Sequence, residues 1–292
     1  MIVVTVASQK GGVGKTTTTA NLASILALSG ARILAVDLEL QGQLGVSLGA
    51  IARKPNDVGS ALIDYIDIEA EDPEGRDPHA FDGMPSLGSR VLDRTDSLLK
   101  EAHKPGGCLH VLGSVMALTE RAKSEVAKKG WEATPVLRKL LARVSDQYDF
   151  VFIDTPPSAD ALSSVALAAA DYVVAVCNPR LATADGARVV RNNTARVPER
   201  TGGVCSPVFI GTIINEARSP SKRSDEADDV DGFLSKWDLE PFSSEIRTSD
   251  QISASYGVSR PIVIDAPSFA ASRWYEELAN ELVQRIRTVN AA

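Results

Sequence analysis

Ser8-Gln9-Lys10-Gly11-Gly12-Val13-Gly14-Lys15-Thr16-Thr17 follows directly on the apolar run Ile2-Val3-Val4-Thr5-Val6-Ala7. A strand that runs into glycines and then into a lysine-threonine helix start is a phosphate cradle. Backbone N–H groups and the positive end of the helix dipole converge there on one anion. In such a loop Gly11, Gly12, Val13 and Gly14 wrap the phosphates, with Thr17 on the first helical turn. Lys15 reaches the β- and γ-phosphates, and the Thr16 hydroxyl ligates Mg²⁺. The common spacing G-x-x-x-x-G-K-[ST] is incomplete, because Gln9 stands where its first glycine belongs. The loop carries instead a second lysine, Lys10, near its start.

Outward from the cradle, strands and helices alternate. Arg32–Asp37, Asp149–Asp154, Tyr172–Val176 and Val208–Ile214 read as strands. Helices are expected at Thr16–Ser29, from Pro135 to about Gln147, at Asp160–Ala170 and at Thr183–Val197. A last one, about Phe269–Val289, carries Trp274, Leu278, Leu282 and Ile286 on one face. The fold class expected is α/β, a mostly parallel twisted sheet with helices on both faces. Ligands of such folds sit at the carboxyl ends of the strands, where every motif here falls. We expect one domain over residues 1–292, with a surface insertion within about 50–107 whose Asp67–Pro85 part is Pro-, Gly- and acid-rich. Ala217–Asp231 reads as a polar loop.

The 292 residues suffice for a large core, and 44% hydrophobic with 24% charged residues is an ordinary globular balance. A net charge of −7 argues against a general nucleic-acid coat but leaves room for a local basic patch. Cys108, Cys177 and Cys205 form no C-x-x-C pair, consistent with incidental thiols in a reducing cytoplasm. No signal peptide is expected ahead of the first strand. Nor does any apolar run approach the ~18 residues of a membrane span.

Two carboxylate motifs accompany the cradle. Phe150-Val151-Phe152-Ile153-Asp154 ends an apolar strand on an acid, the pattern of a carboxylate that binds Mg²⁺, commonly through its water shell. The alternative for Asp154 is a helix N-cap, for which Thr155-Pro156-Pro157-Ser158 is a poor continuation. The second strand ends Asp37-Leu38-Glu39-Leu40-Gln41-Gly42-Gln43. Alternation on an extended segment puts Asp37 and Glu39 on one side, where they can orient Mg²⁺ water and the attacking water. A solvated turn is the competing explanation.

Taken together, Ser8–Thr19, Asp37–Gln43 and Tyr148–Ser158 resemble the ParA/MinD ATPases with their deviant Walker A box. The similarity continues through Ala166–Asn178, Ile210–Arg218 and Tyr275-Glu276-Glu277-Leu278-Ala279. What the resemblance implies is an ATPase using ATP and Mg²⁺ that works as a homodimer. Lys10 would match the signature lysine that crosses to the partner subunit's ATP, Gly12 would permit close subunit approach, and Asn215 would match the residue that reads adenine. Glu39 departs from the family's Asp-x-Asp-Pro-Gln pattern, and Leu40 replaces its proline. One extra methylene displaces the carboxylate by over an ångström, so slow basal hydrolysis is expected.

Within the family, the cysteines do not suit an Fe–S branch, the C-terminus lacks a tyrosine-rich tail, and the final apolar stripe reads as core rather than membrane anchor. The resemblance then points to partition ATPases without an N-terminal DNA-reading domain. It implies non-specific DNA binding through Arg218, Lys222, Arg223 and Arg247 on the ATP dimer, and nucleoid association in the cytoplasm. Hydrolysis would be stimulated by a ParB-like partner. These arginines and lysines could equally sit on a solvated face or pair with nearby acids. Another reading from the same family is a spatial regulator that positions a protein complex rather than DNA, and a more distant one is a P-loop amidoligase.

Overall fold

The computed structural model describes residues 1–71, 85–218, 221 and 224–291. In chain order its elements are β1 (Ile2–Ala7), α1 (Lys15–Leu28), β2 (Arg32–Asp37), α2 (Gln43–Ser47), α3 (Val58–Glu71), β3 (Leu92–Asp93), β4 (Cys108–Leu112) and α4 (Met116–Lys129). Next come α5 (Val136–Ala142), β5 (Phe150–Asp154), α6 (Ala161–Ala169), β6 (Tyr172–Cys177), α7 (Leu181–Arg200) and β7 (Val208–Ala217). The chain closes with α8 (Asp225–Lys236), β8 (Ile246–Arg247), α9 (Asp250–Gly257), α10 (Ile262–Asp265) and α11 (Ala270–Ala291).

These strands form an eight-stranded sheet in the order β3-β4-β2-β5-β1-β6-β7-β8. Among the described strands, only the edge pair β3–β4 is antiparallel. The central strands are buried on both faces, which explains why β1, β5 and β6 read as near-continuous apolar runs. One face is covered by α1, α10 and α11, with Leu22, Tyr275, Leu278 and Leu282 in its core. The other face carries α3 through α6 over Leu34, Val36, Val151 and Ile153, and α7 and α8 complete that layer toward β7. In-register pairing sets Asp37 beside Asp154 at the carboxyl ends of β2 and β5, with Val6 of β1 on the far side of Asp154.

Most expected elements are present, and several differences have a physical reason. The helix after Pro135 stops at Ala142, short of Gln147. β4 and the helix α4 behind it were not anticipated. β4 has a polar centre, because His110 points to Tyr148 and bonds its hydroxyl at 2.8 Å, which breaks the apolar run. A surface insertion was expected within about 50–107, and the residues at either end of that range are core elements. Its flanks enter the core through Val58, Leu62 and Ile66 of α3 and through Leu98 and Leu99. The acid-rich centre, 72–84, lies outside the described residues. Ala217–Asp231 is not a loop throughout, since α8 begins at Asp225 with Asp225, Glu226 and Asp228 in its first turn. Acids there favour the helix N-terminus, so the charge run is a helix start. The last helix does bury Leu278, Leu282 and Ile286, as its periodicity indicated. Among the described residues, no helix is long and apolar enough to cross a membrane.

Candidate functional site

The loop between β1 and α1 turns on two glycines in the left-handed region, Gly12 at φ 72° and Gly14 at φ 88°. Gly14 precedes α1, and no side chain caps that helix. Its first N–H groups are therefore left to a ligand, which is the arrangement an anion requires. A Cβ on Gly14 would stand 2.1 Å from the Asn215 side-chain nitrogen, so the cradle admits no side chain there. Asn215, at the end of β7, donates from Nδ2 to the Val13 carbonyl at 2.8 Å and thereby ties β7 to the loop. The amide expected to face a base is thus also a structural tie.

Lys15 is buried and donates from Nζ to the Lys10 carbonyl at 3.4 Å. Burial pushes its pKa down, while Asp154 and Glu39 act in the opposite direction. Thr16 donates its hydroxyl to Asp154 Oδ2 at 2.6 Å. The other carboxylate oxygen, Oδ1, is buried and has no hydrogen-bond partner among the described residues. Burial raises the Asp154 pKa to about 7. An acid that strained, with one orphaned oxygen beside a hydroxyl, is what a divalent cation and its water would relieve, so the donor set fits Mg²⁺. Asp154 does not cap a helix; Asp160 does, accepting the Ser163 N–H at 3.0 Å at the start of α6. This removes the competing explanation for Asp154.

Asp37 is placed differently from expectation. β2 ends at Asp37, so strand alternation does not carry on to Glu39. Asp37 is completely buried, and its oxygens accept the N–H groups of Glu39 and Gly45, each at 3.1 Å. These contacts fix the loop after β2, and the strand pairing keeps Asp37 beside Asp154. Burial and the neighbouring Asp154 carboxylate push its pKa well up. Glu39 instead lines the cleft, with a pKa raised by burial and opposed by Lys15.

The cleft holds about 550 Å³. Gly11, Gly12, Gly14, Lys15, Thr16 and Thr17 form one end, and Glu39, Gln41, Gln43 and Pro157 one side. The opposite wall was invisible in the sequence: Thr248, Ser249, Ile252, Ser253 and Tyr256 of β8–α9, with Tyr275 of α11. A Ser-Asp pair at 249–250 is a helix-start signal that could have revealed α9.

Lys10 is exposed, with its side chain near Gly186 of α7. Of the residues expected to touch DNA, Arg218 is exposed beside Glu226, Asp231 and Glu245 around a neighbouring opening. Arg247 is exposed too, but it lines the cleft and sets its guanidinium 5.8 Å from the Trp274 ring centroid. Lys222 and Arg223 lie outside the described residues.

A family model described as an AAA domain matches residues 1–202. The chromosome-partitioning ATPase Soj of Treponema pallidum is 29% identical over 279 residues, which is 95% of either chain. Among solved structures, apo McdA from Cyanothece superposes with a TM-score of 0.76 at 18% identity, covering 97% of this chain and 99% of the other. Cobyrinic acid a,c-diamide synthase from Mycobacterium smegmatis, with bound ADP and magnesium, gives 0.72 at 22% identity, covering 98% and 95%. At these identities the two structures show a shared fold.

Proposed function

The chain belongs to the ParA/MinD family of ATPases, and from that premise we propose that it is an ATP-driven partition switch that dimerises on nucleotide and holds DNA non-specifically. The observation that carries the nucleotide part is the Thr16–Asp154 hydrogen bond beside a buried, unpaired Asp154 oxygen and an uncapped helix α1. Thr16 and Asp154 are the residues that would hold Mg²⁺, and the N–H groups of Gly11 through Thr17 with Lys15 would hold the phosphates. When bound, the metal offsets the charge of the phosphates.

The residues then divide the work. Lys15 leaves the Lys10 carbonyl for phosphate. Asn215 keeps the loop closed and presents the base end of the cleft. Glu39, on the cleft wall, orients the attacking water, and its extra methylene relative to aspartate makes hydrolysis slow. Lys10 reaches the nucleotide of a second copy, a cation placed where charge builds in the transition state, as arginine fingers are. Because that contact exists only in the dimer, nucleotide favours the dimer, which is the differential affinity a switch needs.

Support for the DNA part comes from the near-full-length likeness to a chromosome-partitioning ATPase and from exposed Arg218 and Arg247. A ParB-like protein is the stimulating partner on this reading. Sedimentation with non-specific DNA in the presence of ATP, ADP or no nucleotide tests it. ATP-dependent binding whose log affinity falls with log salt, by ~0.9 per phosphate neutralised, is expected. Binding that ignores ATP and salt overturns it. The second reading, a spatial regulator of a protein complex, is favoured by one observation: Glu226, Asp231 and Glu245 surround Arg218 and weaken its field toward phosphate. Absence of DNA binding with ATPase activity intact selects that reading. Turnover of Glu39→Asp tests the water-orienting role, with an increase of up to ~10²-fold expected; an unchanged rate overturns it.

A further inference from the structure

Behind the nucleotide loop lies a second cavity of about 440 Å³, bounded by α4, the turn Gly130–Ala133, α6 and α7. Its volume lies in the range of small-ligand pockets, and its lining is mostly apolar with a few convergent polar groups. The floor is Val126, Leu167 and Val190. At the mouth the Arg200 guanidinium lies 4.3 Å from the centroid of the Trp131 ring.

The polar groups of this cavity favour an anion. Val190, Asn193, Val197 and Arg200 recur at helical spacing and present one stripe of α7 to it. Asp160 is the one carboxylate in the wall among the described residues, and it is occupied. It accepts the Ser163 N–H at 3.0 Å and the Ser158 hydroxyl at 2.9 Å, and it lies 3.5 Å from Lys123 Nζ. Arg200 has no ion-pair partner among the described residues, and the Asn193 and Gln9 amides have no hydrogen-bond partner there. An exposed guanidinium lying over an indole ring, with two half-buried amides beside a mostly apolar cavity, matches an apolar body flat enough to lie against Trp131 and carrying a carboxylate at one end.

Position makes the cavity more than a void. Its walls include Ser8 and Gln9 at the start of the phosphate loop, and Thr155, Pro156 and Ala159 directly after Asp154. Gln9 adjoins Lys10 and also touches α7, where a Cβ on Gly186 would stand 3.4 Å from the Gln9 Cβ. An occupant would thus bear on the residues that flank the phosphate loop and Asp154. We propose that this cavity is an effector site for a flat, apolar carboxylate, whose occupancy alters nucleotide affinity. The binding half stands independently; the coupling half rests on the nucleotide reading above.

Calorimetric titration of the full chain with 2-naphthoate, and with uncharged 2-naphthamide, tests the site. One saturable site is expected for 2-naphthoate, with affinity about tenfold lower for the amide and for the variant Arg200→Gln. Ala127→Leu, at the exposed mouth, should also weaken binding while thermal unfolding stays unchanged in both variants. No saturable binding, or equal binding by wild type and both variants, overturns the site. The second titration measures a non-hydrolysable ATP analogue with Mg²⁺ at saturating 2-naphthoate. A severalfold change in wild type that is absent in Arg200→Gln supports the effector role, and an unchanged affinity overturns it. A chain that binds no nucleotide either with or without 2-naphthoate overturns the nucleotide reading and the coupling, while the first titration still decides the site.

Discussion

At the scale of single residues, the cradle depends on one backbone conformation and one buried acid. Gly14 holds φ 88° with the Asn215 amide where a Cβ would go. The substitution Gly14→Ala incurs both the left-handed penalty of about 1–2 kcal/mol and a clash. We expect nucleotide affinity to fall at least tenfold by equilibrium titration, with Asn215→Ala relieving only the clash. Asp154 provides a pH signature. Its pKa stands at about 7 against an ordinary 3.8, so between these values the folded state binds more protons than the unfolded chain. Stability of the nucleotide-free protein therefore falls as pH rises through that window. Melting temperature should be higher near pH 5 than near pH 8, and Asp154→Asn should flatten the trend. A steeper fall in the variant would contradict this origin. Asp37, pushed up by burial as well, contributes a slope of the same sign.

At the scale of elements, the layer over β2 and β5 rests on a close helix crossing. A Cβ on Gly59 of α3 would lie 2.4 Å from the Leu118 carbonyl carbon and 2.5 Å from the Thr119 nitrogen in α4. Those atoms are backbone and cannot rotate away. Gly59→Ala must push the helices apart, and a loss of roughly 3 kcal/mol in chemical denaturation is expected. By contrast, the N-cap of α6 is a local contact. Asp160→Ala removes the bond to Ser163 N–H and should cost about 1 kcal/mol. It also releases Lys123, a half-buried ion-pair partner at 3.5 Å.

For the molecule as a whole, the sheet gathers the glycine loop, Glu39, Asp154 and Asn215 at its carboxyl edge, and Lys10 of that loop is exposed. The proposed dimer predicts a doubling of mass by light scattering with ATP and Mg²⁺ but not with ADP. Lys10→Ala should retain nucleotide binding while losing about 10³-fold or more in turnover, as removal of a trans cation does. Full activity in that variant would exclude a shared site. The same edge also places the arginines. Arg218 and Arg247 sit at the carboxyl ends of β7 and β8, one beside acids and the other on the cleft wall.

Much of this was legible without coordinates. Strands buried on both faces must be apolar throughout, so β1, β2, β5 and β6 were readable from composition alone. Glycines, Lys15 and Thr16 are adjacent in the chain, and adjacency is what backbone geometry requires of a phosphate loop; the sequence by itself therefore determined the cradle, the parallel sheet and the acid at the tip of β5. Tertiary structure alone decided everything that depends on meeting across the chain. Asp37 and Glu39 are two residues apart, yet the N–H groups of Glu39 and Gly45 turn one carboxylate inward and leave the other in the cleft. Asn215 meets Val13 across 202 positions. Tyr256 and Arg247 face the cradle from beyond β7, and Trp131 meets Arg200 over a second cavity. No local pattern encodes such meetings, because the free energy that enforces them comes from burying the sheet's two faces together.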